Sequence, residues 1–226
     1  PTITIQVIAA CLTVALLLGC CLSCSADVTV VFDGKPLAAV VVAQGAPEQV
    51  TDAAGLLVSY VQEATGAALP VVKEGEPVPE GLPSRIYVGQ TDYAINRALL
   101  PEGLDGDGFV IAFPEKDAMA IIGPTPWGTE FGVYEFLERY VGVRWLLPGP
   151  DGDDVPAATE LVVPAEPVRD EPKFFSRQMS GYVGAGGQWA RRLRMHGRVG
   201  FHAVRENNAR DLEQLGDRDP FNVSAQ

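Results

Sequence analysis

The chain has 226 residues, 47% hydrophobic and 20% charged, an ordinary globular composition that excludes a disordered polymer. Its formal charge of −12 excludes a nucleic-acid-binding role, because a phosphate backbone is gripped by clustered lysine and arginine and repelled by an acidic surface. The four cysteines, Cys11, Cys20, Cys21 and Cys24, all precede residue 25, so the rest can build neither an internal disulfide nor a thiolate zinc site and must be stabilised by burial.

Residues 1–26 carry no charged side chain, and Ile3 to Leu18 is almost continuously apolar. That run is shorter than the roughly 20 residues that span a bilayer comfortably. The small residues Gly19, Ser23, Ser25 and Ala26 follow it, which is the outline of a secretory signal. The positive stretch that opens such a signal is missing before Pro1, so the expectation is that the true start lies upstream. Leu17-Leu18-Gly19-Cys20 resembles a bacterial lipobox and makes Cys20 the candidate lipidation site. Ordinary cleavage after Ala26 is the competing reading, and a third is that the cysteines are small apolar members of a helix. The first two readings place the body outside the cytoplasm of a bacterium: periplasmic, extracellular or an outer-membrane lipoprotein. Membrane contact would then run only through the signal or a lipid anchor.

In chain order, Val28 to Phe32 and Ala38 to Ala43 are β-branched runs around the turn dipeptide Asp33-Gly34, which predicts a hairpin. Pro47 to Ala64 changes period: Val50, Ala53, Ala54, Leu57, Tyr60, Val61 and Ala64 recur at three and four, giving an amphipathic helix stopped by Gly66. Leu69 to Val72 and Arg85 to Gly89 read as short strands, and Phe109 to Phe113 with Ala118 to Ile122 as a second hairpin. A second long helix runs from about Gly128 to Tyr140, with Phe131, Tyr134, Leu137 and Val141 inward. Glu130, Glu135, Glu138 and Arg139 are expected on or near its wet face. Gly142 ends it and Val143 to Leu147 returns as a strand. The sum for 27–147 is an α+β domain, a mixed sheet covered on one face by two main helices. Prolines punctuate 148–172, read as a linker with an edge strand at Leu161 to Val163. Residues 27–168 hold 22 acidic and 7 basic side chains, net −15, whereas 169–226 hold 7 acidic and 10 basic, net +3, which marks a second unit from about residue 173.

The chemical motifs are weak. Gly184 to Trp189 puts a tryptophan where a dinucleotide fingerprint needs its third glycine, and no Gly-Lys-Ser/Thr exists for a phosphate loop, so no nucleotide cofactor is expected. Asp105-Gly106-Asp107-Gly108 and Asp151 to Asp154 look like calcium loops but continue into Phe109 and Val155 where an oxygen is required, so they read as turns. His196 and His202 are six apart with no third ligand, and no metal is expected. Ser180 lacks the flanking glycines of a hydrolase elbow. Glu130, Glu135 and Glu138 are the residue type for an acid/base pair, but glutamates on a helix's polar side are usually solvated. Arg191, Arg192, Arg194 and Arg198 with Trp189 are either an anion clamp or arginines that snorkel from an element's end. Asn222-Val223-Ser224 is a glycosylation triplet that arises often by chance.

The run Ile121-Ile122-Gly123-Pro124-Thr125-Pro126-Trp127-Gly128-Thr129-Glu130-Phe131-Gly132-Val133-Tyr134-Glu135-Phe136-Leu137-Glu138-Arg139-Tyr140-Val141-Gly142-Val143-Arg144-Trp145 resembles a known module. It is similar to the N-terminal domain of family 67 alpha-glucuronidases and of bacterial proteins carrying domain of unknown function 4838, a layer also similar to the second domain of beta-hexosaminidases. Tyr60 to Pro70, Ile86 to Gly89 and Asp107 to Ile111 follow the same pattern, and the likeness spans about residues 28–177. The resemblance implies an exported, carbohydrate-active protein in which this non-catalytic layer precedes a (β/α)8 barrel that holds the active site. Glu171 to Arg177 looks like the entry to that barrel, so 173–226 would be its truncated start and the catalytic carboxylates would lie beyond Gln226. Arg177 and Trp189 are then the candidate substrate-binding residues, Arg177 pairing with a uronate and Trp189 stacking on a sugar ring, or else they are barrel packing residues. The alternative function is a surface lipoprotein that binds glycans without hydrolysing them.

Overall fold

A computed structural model describes residues 27–179 and 185–198. Strand β1 (Val28–Phe32) turns through Asp33 and Gly34, both at positive φ, into the two-residue β2 (Lys35–Pro36), pairing Val31 with Pro36. Here the expected hairpin is corrected. The next run, β3 (Ala38–Val42), does not return along β1 but enters a second sheet, parallel to both β4 (Val71–Lys73) and β5 (Ser84–Val88). The reason lies in its composition: all five β3 residues are buried, and a strand covered on both faces belongs in a sheet's interior.

Helix α1 (Glu48–Thr65) links β3 to β4, and its buried residues are the seven that the periodicity selects. Gly66, at φ 76°, ends it by donating its N–H to the Gln62 carbonyl, a left-handed stop that a side chain would strain. A short helix, α2 (Asp92–Asn96), was not anticipated; Thr91 Oγ1 caps it by accepting from Ala94 N. Strands β6 (Phe109–Glu115) and β7 (Ala118–Ile122) form the expected hairpin, and β7 lies parallel to β5.

Helix α3 (Pro126–Phe136) runs into a π-helical turn over Leu137–Val141, ended by Gly142 at φ 88°. A two-stranded ribbon follows, β8 (Arg144–Trp145) with β9 (Asp153–Asp154). Strand β10 (Leu161–Val163) pairs antiparallel with β1, and β11 (Val168–Asp170) adds antiparallel to β6. The main sheet therefore has six strands in the order β11-β6-β7-β5-β3-β4, mixed in direction. Val40, Ile86, Met119, Ile121 and Ile111 present one face to α1 and α3, where Leu57, Val61, Phe131 and Phe136 complete the core. Across the sheet Ala94 of α2 packs on Ala120 and Ile122. The proline-rich stretch 148–172 thus contributes β9, β10 and β11.

After β11, residues 171–179 form bends and extended chain with no strand, and helix α4 (Ala185–Arg192) follows. Among the described residues no strand follows Asp170, so a barrel's first strand is not seen in 171–179. Residues 1–26 and 199–226, with Cys20, His202 and the Asn222 triplet, lie outside the described residues.

Candidate functional site

The N-terminal end of α3 is built by close backbone approach. Thr125 caps the helix, its Oγ1 accepting from Gly128 N and donating to the Gly106 carbonyl at 2.6 Å, while Thr129 Oγ1 accepts from Gly123 N at 3.0 Å. These bonds tie the Asp105–Gly108 turn to α3, and Asp105 Oδ1 accepts from Asp107 N at 3.0 Å to shape the turn itself. The turn holds Asp107 with its side chain only 1% exposed.

Onto this edge, and along α3, residues 174–179 and 185–198 lie as a strap. Asp107 receives Arg177 Nη2 at 2.7 Å and Arg198 Nη2 at 2.5 Å, and His196 Nδ1 stands 2.9 and 3.0 Å from its two oxygens. Burial alone would raise the Asp107 carboxyl, but the hydrogen bonds from Arg198, Arg177 and His196 outweigh it and hold the group below the usual aspartate range. Arg198 also grips Asp105 with both terminal nitrogens, and the His196 ring stacks on Trp127 at 3.8 Å.

Midway along α3, Glu130 Oε2 accepts from Gln49 Nε2 at 2.6 Å and Arg191 Nη2 at 2.5 Å, while its Oε1 accepts from the Tyr134 hydroxyl. Glu130 was expected on the wet face; it is buried, because Gln49 and a guanidinium 61 residues downstream replace its water. Beyond it, Asp153 takes Arg192 Nη1 at 2.9 and 3.0 Å and the Tyr60 hydroxyl at 2.5 Å, and Tyr60 in turn accepts from Trp145 Nε1. Arg194 Nη2 spans Glu135 and Glu138 at 2.8 and 2.6 Å. The arginine cluster is thus neither an open anion clamp nor a set of snorkelling side chains. Each of Arg191, Arg192, Arg194 and Arg198 is matched to a carboxylate of the layer.

Arg177 lies within this seam. Its Nε donates to the Arg194 carbonyl at 2.8 Å, its Nη1 to the Phe174 carbonyl at 2.7 Å, and its Nη2 to Asp107. Trp189 is partly buried against the core and donates Nε1 to the Trp145 carbonyl at 2.8 Å. The structure therefore brings both predicted binding residues onto the same face of the layer, in contact with protein partners. Sequence reasoning weighed Asp107 and Asp153 only as members of calcium-loop look-alikes that read as turns, and it did not single out Gln49. The signal for the ion pairs of the two aspartates was the opposite net charge of the two stretches. Among the described residues no group of three His, Cys, Asp or Glu is arranged for a metal, and no helix is long and apolar enough to cross a membrane.

Burial raises the phenols of Tyr60, Tyr87, Tyr93, Tyr134 and Tyr140, that of Tyr60 to about 12, where its bond to Asp153 adds to the effect. A folded-state value above the unfolded value of about 10 means that this stability is complete below pH 10 and is lost as pH rises through the folded values. Alkaline titration is therefore expected to hold phenolate absorbance well below that of the unfolded chain at pH ~11 and to release it together with unfolding. Free titration of all the tyrosines near pH 10 in the folded protein would contradict the packing around Tyr60.

No protein-family model and no curated protein matches the chain. Solved structures do. The GH20 beta-N-acetylhexosaminidase of Streptomyces coelicolor A3(2) is 18% identical, with a TM-score of 0.43 over 67% of this chain and 25% of that one. The GH115 4-O-methyl-alpha-glucuronidase BtGH115A is 16% identical, with a TM-score of 0.43 over 67% of this chain and 19% of that one. The chitobiase of Flavobacterium johnsoniae is 12% identical, with a TM-score of 0.40 over 68% of this chain and 20% of that one. The chain matches at most a quarter of the length of these enzymes.

Proposed function

We propose that this chain is the non-catalytic accessory layer of an exported glycoside hydrolase-like protein, and that its role is to seat the unit that follows it. The reading draws on the module from Ile121 to Trp145 and on one observation above all, the state of the buried carboxylates. Glycoside hydrolysis needs a carboxylic acid held protonated, with a raised pKa, near a second carboxylate. Asp107, Glu130 and Asp153 are instead each bound by arginine, and Asp107 is pushed below its ordinary value. An aspartate held in that way stays ionised and does not deliver a proton, and the arginine bonds of Glu130 and Asp153 pair the layer with a partner segment. The strap that they hold begins within Glu171 to Arg177, the stretch that the resemblance reads as the entry to a following barrel. Assay of the chain against aryl glycosides and aryl glucuronides is expected to give no turnover above buffer, and measurable hydrolysis that is lost on replacing Glu130 or Asp107 would overturn the accessory role.

A further inference from the structure

A cavity of about 220 Å³ opens where α1, α3 and α4 meet, and both the layer and the strap wall it. Its apolar lining is the half-buried Leu56 of α1, with the little that remains exposed of Ala53 and of Tyr134 of α3. Glu130, whose side chain is 7% exposed, stands in the wall, fixed in place by Gln49, Tyr134 and Arg191. The rim carries Gln49, Asp52 and Gln188. Gln49 spends its amide nitrogen on Glu130, and its Oε1 receives no donor among the described residues. The side chains of Asp52 and Gln188 make no hydrogen bond or ion pair with the described residues. The rim therefore offers two amide oxygens, a carboxylate and the Gln188 amide N–H groups above a small apolar patch.

We propose that this cavity binds one ring of a neutral, polyhydroxylated molecule, a sugar of monosaccharide size. Hydroxyl groups both donate and accept, so they match a rim that mixes amide donors with amide and carboxylate acceptors, and a C–H edge of the ring covers the exposed part of Leu56. Charge sets the sign of the ligand. The two carboxylates of the lining, Asp52 and Glu130, balance its two guanidiniums, and Arg191 and Arg192 are already engaged by Glu130 and Asp153, so the cavity offers no excess positive charge to a uronate or a phosphate. A cavity of this volume takes one ring, and its open rim limits affinity to the millimolar range, about 1–10 mM. Gln188, Arg191 and Arg192 come from α4, so the site exists only with the strap in place. The proposal rests on the carbohydrate-related reading above for the class of ligand and on the cavity for the position.

Titration of the full chain with methyl β-D-glucopyranoside, followed in ¹H–¹⁵N spectra, tests it. The expected result is saturable shifts at the side-chain amides of Gln49 and Gln188, with D-glucuronate at least tenfold weaker. The Asp52→Ala/Gln188→Ala double variant removes two exposed side chains that the fold does not use, so it keeps the strap docked and is expected to weaken binding at least tenfold. Shifts that never saturate, equal binding of glucuronate, or saturable binding unchanged in the double variant would each overturn the site. Those outcomes leave the accessory role standing, whereas hydrolysis of an aryl glycoside by the chain would sink that role and leave the binding result readable.

Discussion

Replacing Asp107 by alanine is expected to release the strap while leaving the main sheet folded. The side chain is 1% exposed and faces three donors, Arg177, Arg198 and His196. Removing the shared carboxylate leaves its partly desolvated donors short of an acceptor, a loss of about 3–5 kcal/mol. Arg198 keeps Asp105, but Arg177 is left with two backbone carbonyls and His196 with the face of Trp127. Amide hydrogen exchange is expected to rise across 174–179 and 185–198 and to stay slow in β3, β5 and β7, whose residues depend on the α1 and α3 face. Asp107→Asn, which keeps the shape and loses the charge, is expected to fall between wild type and alanine.

Acid acts on the same pin. A folded-state carboxyl below the unfolded value stabilises above the unfolded value of about 4, and that contribution fades as pH falls through the lower folded value. The strap should therefore loosen in acid below pH ~4, as Asp107 takes up its proton. A strap equally protected in Asp107→Ala and wild type would refute the clasp.

What the sequence disclosed follows physical range. The residues that α1 buries recur at three and four, and a period is a local property, so the helix and its inward face could be read directly. The β6–β7 hairpin is local for the same reason. The partner of β3 was not, because Asp33-Gly34 specifies a turn but not how far the second strand stays beside the first; five consecutive buried residues demanded a central place, and only the whole sheet supplies one. Glu130 shows the same limit at the site. Its position on the polar side of α3 is local information, whereas its burial depends on Gln49, 81 residues before it, and Arg191, 61 after it. The stretch of net positive charge after residue 168 announced that acidic and basic parts would meet, but not which carboxylates would meet which arginines.

The module around Gly123 and Gly128 was legible as a resemblance, and the structure supplies its physical cause, which leads to the largest effect expected of a single methyl group. A Cβ at Gly128 would lie 2.1 Å from the Gly108 carbonyl oxygen and 2.9 Å from that of Gly106, and one at Gly123 would lie 2.2 Å from Thr129 N. These are backbone atoms, so no rotamer change can make room. The two glycines let the first turn of α3 press against the end of β7 and against the turn that carries Asp107. Gly128→Ala is expected to cost about 4 kcal/mol or more, because α3 must move as a unit and take the Thr125 and Thr129 bonds with it. The displaced turn also misplaces Asp107, so strap protection should fall together with global stability, unlike in Asp107→Ala. Gly55→Ala provides the contrast. That glycine lies exposed in α1 with nothing within 4 Å of the added carbon, and the change is expected to stabilise by about 0.5–1 kcal/mol. Denaturant unfolding of the two variants measures both signs, and a Gly128→Ala protein with a wild-type midpoint would show that the close packing of α3 on the Gly106–Gly108 turn does not hold this end of the fold together.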